Sequence, residues 1–156
     1  MISGEQIKDL GERIGAATGY DREINFDLFN WLYLGRFSGM RGRGHGGGLQ
    51  YEVREDDRKI IKWSGAGYPM EPPNYTASLD AILGLALAIF PNWTWSVSQN
   101  SGEKPEAWLG SPTGNGLLRE NNGQGSAPTP ALALCAALID LLDARSLLKS
   151  TQPVDE

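Results

Sequence analysis

The chain has 156 residues, of which 40% are apolar and 9% aromatic, and a formal net charge of −5. That length suits one domain with a sizeable core, and the composition excludes a disordered chain. The acidic balance argues against a general nucleic-acid binder, and one cysteine excludes an internal disulfide or a cysteine-rich metal centre.

Ser3-Gly4-Glu5-Gln6 is a capping-box pattern. Ile7, Leu10, Ile14 and Ala17 follow at helical spacing, and Gly19 is placed to end that helix in the left-handed conformation. Asp21 can cap a second helix whose buried stripe is Ile24, Leu28, Phe29 and Leu32. Residues 35–48 then change character, with arginines interleaved among dense glycines. Leu49–Arg54 alternates as a strand, Glu55-Asp56-Asp57 reads as a turn, and Ile60–Trp63 reads as the returning strand. Ser64–Asn74, rich in glycine and proline, reads as a connection.

Tyr75–Gln99 is the central unit. Thr76 or Ser78 caps a helix carrying Leu79, Ile82, Leu83, Ala86 and Ile89 on one face, and Pro91 stops it. Trp93, Trp95 and Val97 then alternate with Thr94, Ser96 and Ser98, the period of a half-buried strand. Ala107-Trp108-Leu109 is its antiparallel neighbour, and Pro112–Gly125 reads as a long polar loop. Thr129-Pro130 starts a last helix, with a hydroxyl cap before a proline at the first helical position. The core expected from this periodicity joins Leu83, Ile89, Trp95, Leu134 and Leu138.

The order helix, helix, strand, strand, helix, strand, strand, helix, with short turns inside each strand pair, predicts an α/β fold. It would be one antiparallel sheet of about four strands between helices, in α/β/α layers. The expected organisation is a single domain over 1–150, with a glycine/arginine-rich loop at 35–48 and a frayed tail at 151–156. No charged start followed by an apolar run marks a secretion signal. The longest apolar run is broken by Asp140 and Asp143, so no membrane span is expected.

Four stretches together resemble a known group. They are Ala17-Thr18-Gly19-Tyr20-Asp21-Arg22-Glu23, Tyr75-Thr76-Ala77-Ser78-Leu79-Asp80, Trp93-Thr94-Trp95-Ser96-Val97, and Pro130 to Leu138. As a set they resemble the phage ABA-sandwich domain family, small bacteriophage and prophage proteins of unassigned activity. The resemblance implies an α/β/α layered fold and a host-cell cytoplasmic location. All four stretches read as packing and capping, so the resemblance transfers no catalytic residue.

Candidate chemistry is sparse. Cys135 lies mid-helix among alanines and leucines, where a small buried thiol is ordinary packing, and His45 is the sole histidine. Glu55, Asp56 and Asp57, or Asp140 and Asp143, could hold magnesium, although a solvated turn and a polar helix face explain them as well. The segment Arg36–Gly48 is the unusual piece, because glycine N–H groups can converge on an anion that arginine grips in two-pronged fashion. It matches neither the phosphate-loop nor the dinucleotide pattern. Its ligand-binding candidates are Arg41, Arg43, His45, Gly46 and Gly47, with a ring from Tyr51 or Trp63 to stack on a nucleotide. Trp93, Trp95 and Trp108 could stack likewise, or belong to the core.

The expected function is therefore a non-enzymatic phage accessory protein that binds a host factor or a small anionic ligand. Sequestration of a nucleotide signal against host defence is one concrete form. The alternatives are a virion structural or assembly protein, and a magnesium-dependent enzyme acting on a phosphorylated substrate. No cofactor is implied, and self-association is left open.

Overall fold

A computed structural model describes residues 2–36, 50–64, 66–112 and 118–151 of the chain. Helix α1 (Gly4–Ala16) opens with the capping box in place: Ser3 Oγ accepts from the Gln6 N–H at 3.1 Å, and Gln6 Oε1 accepts from the Ser3 N–H at 3.0 Å. It ends at Ala17 in an extended conformation, and Gly19 has no positive φ, so the expected left-handed stop does not form. Asp21 caps α2 (Arg22–Asp27) through Oδ1, which accepts from the Ile24 N–H at 3.0 Å. The helix then widens into a π-helical stretch, Leu28–Tyr33, before the short α3 (Leu34–Arg36).

Two small antiparallel sheets follow, of three strands each, in place of the single sheet of about four. The first runs β1 (Gln50–Arg54), β2 (Lys59–Ser64), β3 (Ala66–Met70). The second runs β4 (Thr94–Ser98), β5 (Glu106–Gly110), β6 (Asn122–Ser126), and α4 (Leu79–Ile89) separates the two sheets in sequence. The two extra strands are those whose composition reads as loop. β3 holds Pro69, which a sheet tolerates because β3 is an edge strand. β6 is Asn-Gly-Gln-Gly-Ser and has no apolar alternation to signal a strand.

The glycines of β6 are explained by α5 (Pro130–Thr151). Register places Leu109 beside Gly123 and Ala107 beside Gly125, on the sheet face turned toward α5. A Cβ at Gly125 would lie 2.5 Å from the Ala133 carbonyl oxygen and 2.6 Å from the Ala136 Cβ. A Cβ at Gly123 would collide with the Ala137 carbonyl oxygen. Helix and strand therefore meet almost backbone to backbone, with the alanines of α5 and the Cβ of Leu141 against the two glycines.

Helix α5 is covered on its remaining sides by α1 and α4. Gly11 of α1 faces Ile139, whose Cγ2 would lie 3.5 Å from an added Cβ, an ordinary packing distance. Ala131–Cys135, Ala137–Ile139, Leu141 and Ala144 are all buried, as expected of a helix apolar all round. The middle layer is thus α5, with the second sheet on one side and α1 and α4 on the other. The expected second helical layer over that sheet is not there among the described residues.

The α/β class and the antiparallel pairing agree with the sequence reading. Leu134, Leu138 and Ile89 belong to the core, whereas Leu83 is half-buried and Trp95 is 41% exposed. Trp95 lies on edge strand β4, which α5 touches far less than it touches β5 and β6, and strand periodicity alone does not show this.

Truncating Leu138, fully buried, to alanine should cost about 2–5 kcal/mol in chemical denaturation. Gly123→Ala should also destabilise, by about 1–3 kcal/mol or more, because the obstacle is backbone. Gly84 of α4 has open space around its Cα, and Gly84→Ala should raise stability by about 1 kcal/mol. Equal effects of the two glycine substitutions would contradict the contact between β6 and α5.

Candidate functional site

Of the expected ligand-binding residues, Arg41, Arg43, His45, Gly46 and Gly47 lie outside the described residues. Tyr51 and Trp63 are described, and they do not form one site. Tyr51 pairs with Lys62, so these share a sheet face, and Trp63, one residue on, points to the other. Tyr51 is buried and sits edge-on to Phe29 at 5.3 Å, which removes it as a stacking ring. Trp63 stays half-buried, with Nε1 donating to Glu52 Oε2 at 3.2 Å and its ring lying over Gly67.

Cys135 is fully buried, and its Sγ donates to the Tyr75 carbonyl at 3.5 Å. Burial pushes the thiol up to about 12, so the nucleophilic thiolate is scarce at neutral pH. Two of the acidic candidates, Glu55 and Asp140, have structural partners. Glu55 Oε1 accepts from Asn30 Nδ2 at 3.1 Å, which fixes the hairpin turn to the π-helical stretch. Asp140 pairs with Arg119 at 2.5 Å and accepts the Gln124 N–H at 2.9 Å, so it closes the outer edge of β6. Asp143 is exposed. Among the described residues no three His, Cys, Asp or Glu side chains group to hold a metal ion.

A further charged cluster is structural as well. Asp27, 3% exposed, takes Arg13 Nη2 at 2.5 Å on one oxygen and Arg58 Nη2 at 2.9 Å on the other. Arg58 also reaches Glu23 at 2.6 Å, and its guanidinium lies 4.3 Å over the Phe26 ring. Burial lowers the Arg58 pKa, but the Asp27 and Glu23 carboxylates more than offset this and leave it raised. Every charge here has an opposite partner, so the cluster joins α1, α2 and the β1–β2 hairpin and offers no vacancy for a ligand. A second polar junction ties two of the resemblance stretches together. Thr76 Oγ1 accepts the Asp21 N–H at 2.8 Å, and Asn25 Oδ1 accepts the Thr76 N–H at 2.8 Å. Ser78 takes the helix-capping role instead, with Oγ accepting from the Ala81 N–H at 3.2 Å.

The face of the second sheet turned away from α5 is different. Register brings Ser96, Trp108 and Gln124 into one row, and Ser98, Glu106 and Ser126 into the next. Together they border a shallow depression of about 500 Å³. Trp108 stands in the middle strand, and its ring lies along the strand over Gly110, where a Cβ would collide with it. The half-buried indole therefore covers Gly110 on this face and is flanked by hydroxyl and amide groups. The outward positions of the three strands carry one charge, Glu106, and no lysine or arginine. Sequence reasoning names Trp108 only as one tryptophan among several. Ser96, Gln124 and Glu106 are missed because their grouping depends on the unrecognised strand β6. Trp93 is used otherwise, packing on Phe90 at 4.5 Å with Arg145 5.2 Å over its ring.

In comparisons with family models, curated proteins and solved structures, no match to this chain is found.

Because the Cys135 thiol is buried and its pKa raised, native protein at pH 8 should react with a disulfide-exchange reagent many-fold more slowly than protein unfolded in guanidinium. Equal rates in the two states would show the thiol accessible and reopen a nucleophilic role.

Proposed function

We propose that this chain is a non-enzymatic binding protein that holds a small ring-bearing ligand on the open face of the β4–β5–β6 sheet. The observation that carries this reading is the Trp108 indole, set over Gly110 in the middle strand, on a polar sheet face that no helix covers among the described residues. A flat ring is a stacking surface for a base or for the C–H face of a sugar, and base stacking on an aromatic ring is worth about 1–3 kcal/mol. Ser96, Ser98 and Ser126 can each donate and accept, and Gln124 can do both, so the rim can read hydroxyls or base edges. Glu106 favours a neutral or donor-rich edge beside it. A phosphate would need cations, and Arg41 and Arg43 are the charge-bearing candidates for that part of the ligand.

On this reading the protein is a phage accessory factor working in the host cytoplasm, and holding a nucleotide signal intact is one form of that role. The sequence resemblance supports the phage setting. The structural partners of Cys135, Glu55 and Asp140 support binding over turnover, since each is committed to the fold.

The test is a titration of cyclic and linear nucleotides, nucleosides and neutral monosaccharides against wild type, Trp108→Leu, and the Arg41→Ala/Arg43→Ala pair. Loss of one stacked ring should weaken binding about 5- to 150-fold. Ser96→Ala with Gln124→Ala should weaken it further, with the ligand recovered unchanged. Full affinity in Trp108→Leu would remove this face from the site. Loss confined to the arginine pair would move the site to the glycine–arginine segment.

A further inference from the structure

The two edges of the second sheet are treated differently. On β6 the Gln124 N–H is taken by Asp140 at 2.9 Å, and the Asn122 carbonyl accepts from Arg119 Nη1 at 3.0 Å. An edge closed in this way cannot accept another strand. On β4 the exposed residues are Thr94, Trp95, Ser96 and Ser98, with Val97 half-buried, and among the described residues β4 pairs only with β5. Thr-Trp-Ser-Val-Ser contains no charge and no proline, the usual guards of a free edge. Trp95, 41% exposed, and Val97 share the inner face with Leu109 and Ala107, but α5 covers mainly β5 and β6.

We propose that β4 pairs antiparallel with β4 of a second copy of this chain, about a two-fold axis at Ser96, to make a continuous six-stranded sheet. The strand is self-complementary in that register. Ser96 faces Ser96, Thr94 faces Ser98, and Trp95 faces Val97 twice over. Trp95 opposite Val97 is an aromatic–β-branched pair, one of the favourable cross-strand combinations. Both apolar residues of each copy fall on the inner face and all three hydroxyl residues on the outer. A slip by one residue would mix the faces, so the register is specified. The contact is isologous, and no like charges meet across the pairing although the chain carries a net charge of −5. Each Trp95 gains the cover that α5 does not provide. This inference does not rest on the ligand-binding reading. It extends the Trp108 face by adding a second copy of it beside the first.

The test uses full-length protein. Residues opposed in an antiparallel pair have Cα atoms about 4.5–5.5 Å apart, within disulfide range. Under mild oxidation Ser96→Cys should form a covalent dimer, whereas Thr94→Cys alone should not, because it faces Ser98. The buried Cys135 adds no competing thiol. By sedimentation, wild type should rise with concentration toward twice 17.0 kDa. Trp95→Lys, at an exposed position, should raise the dissociation constant at least about tenfold with an unchanged circular dichroism spectrum. A wild type that stays at 17.0 kDa up to about 0.1 mM overturns the proposal. Equal cross-linking of Ser96→Cys and Thr94→Cys, or a dimer indifferent to Trp95→Lys, overturns it too.

Discussion

The backbone of β6 lies directly against the backbone of α5, and most of the architecture depends on that approach. Gly123 and Gly125 on the strand meet Ala133, Ala136 and Ala137 on the helix. Leu141 Cβ also borders Gly123, and not even a methyl group can be added to either glycine without meeting helix backbone. The close approach brings Leu109 and Ala107 onto the helix, so α5 buries this face of β5 and β6 while Trp95 on β4 stays 41% exposed. It also leaves α5 free to be covered on its other sides by α1 and α4, which is why its first half, residues 130–139, is apolar all round. Interiors are close-packed, so a void or an extra atom at this seam is felt across the fold.

The N-terminal half shares one apolar core with this seam, through Ile7, Leu10, Ile14, Ile24, Phe26 and Leu28 among others, and polar contacts fix how its pieces sit. Asp27 with Arg13 and Arg58 fixes the β1–β2 hairpin against α1 and α2, and Asn30 with Glu55 fixes its turn. A carboxylate that is 3% exposed is tolerable only because both oxygens have cationic donors. The junction of Asp21, Asn25 and Thr76 does the same for the chain entering α4. These bonds are directional, so they set where the small sheet sits, while Ile60 and Tyr51 supply its apolar contact.

With one helix serving as the middle layer, the second sheet keeps its other face and one edge uncovered among the described residues. The face holds Trp108 among short polar side chains, and the edge is an uncharged strand that matches itself in reverse. Both follow from the same cause, since a single helix cannot cover two faces of a sheet and packs mainly on the two strands it crosses.

The sequence by itself determined the α/β class, the antiparallel hairpins and the helix starts, because caps and short turns are local chemistry. Ser3 with Gln6, Asp21, Ser78 and Thr129 each satisfy a backbone N–H within three residues, and such signals survive without knowledge of the rest of the chain. The stripes of α1 and α2 were legible for the same reason. Tertiary structure alone decided that Asn122–Ser126 is a strand, because its glycines answer a helix that follows later in sequence. It also decided which tryptophans are exposed. A period of two residues says that Trp93, Trp95 and Val97 share a side, but it does not say whether anything covers that side. Coverage depends on where α5 crosses the sheet, and the row of Ser96, Trp108 and Gln124 exists only once three strands from separate segments are in register.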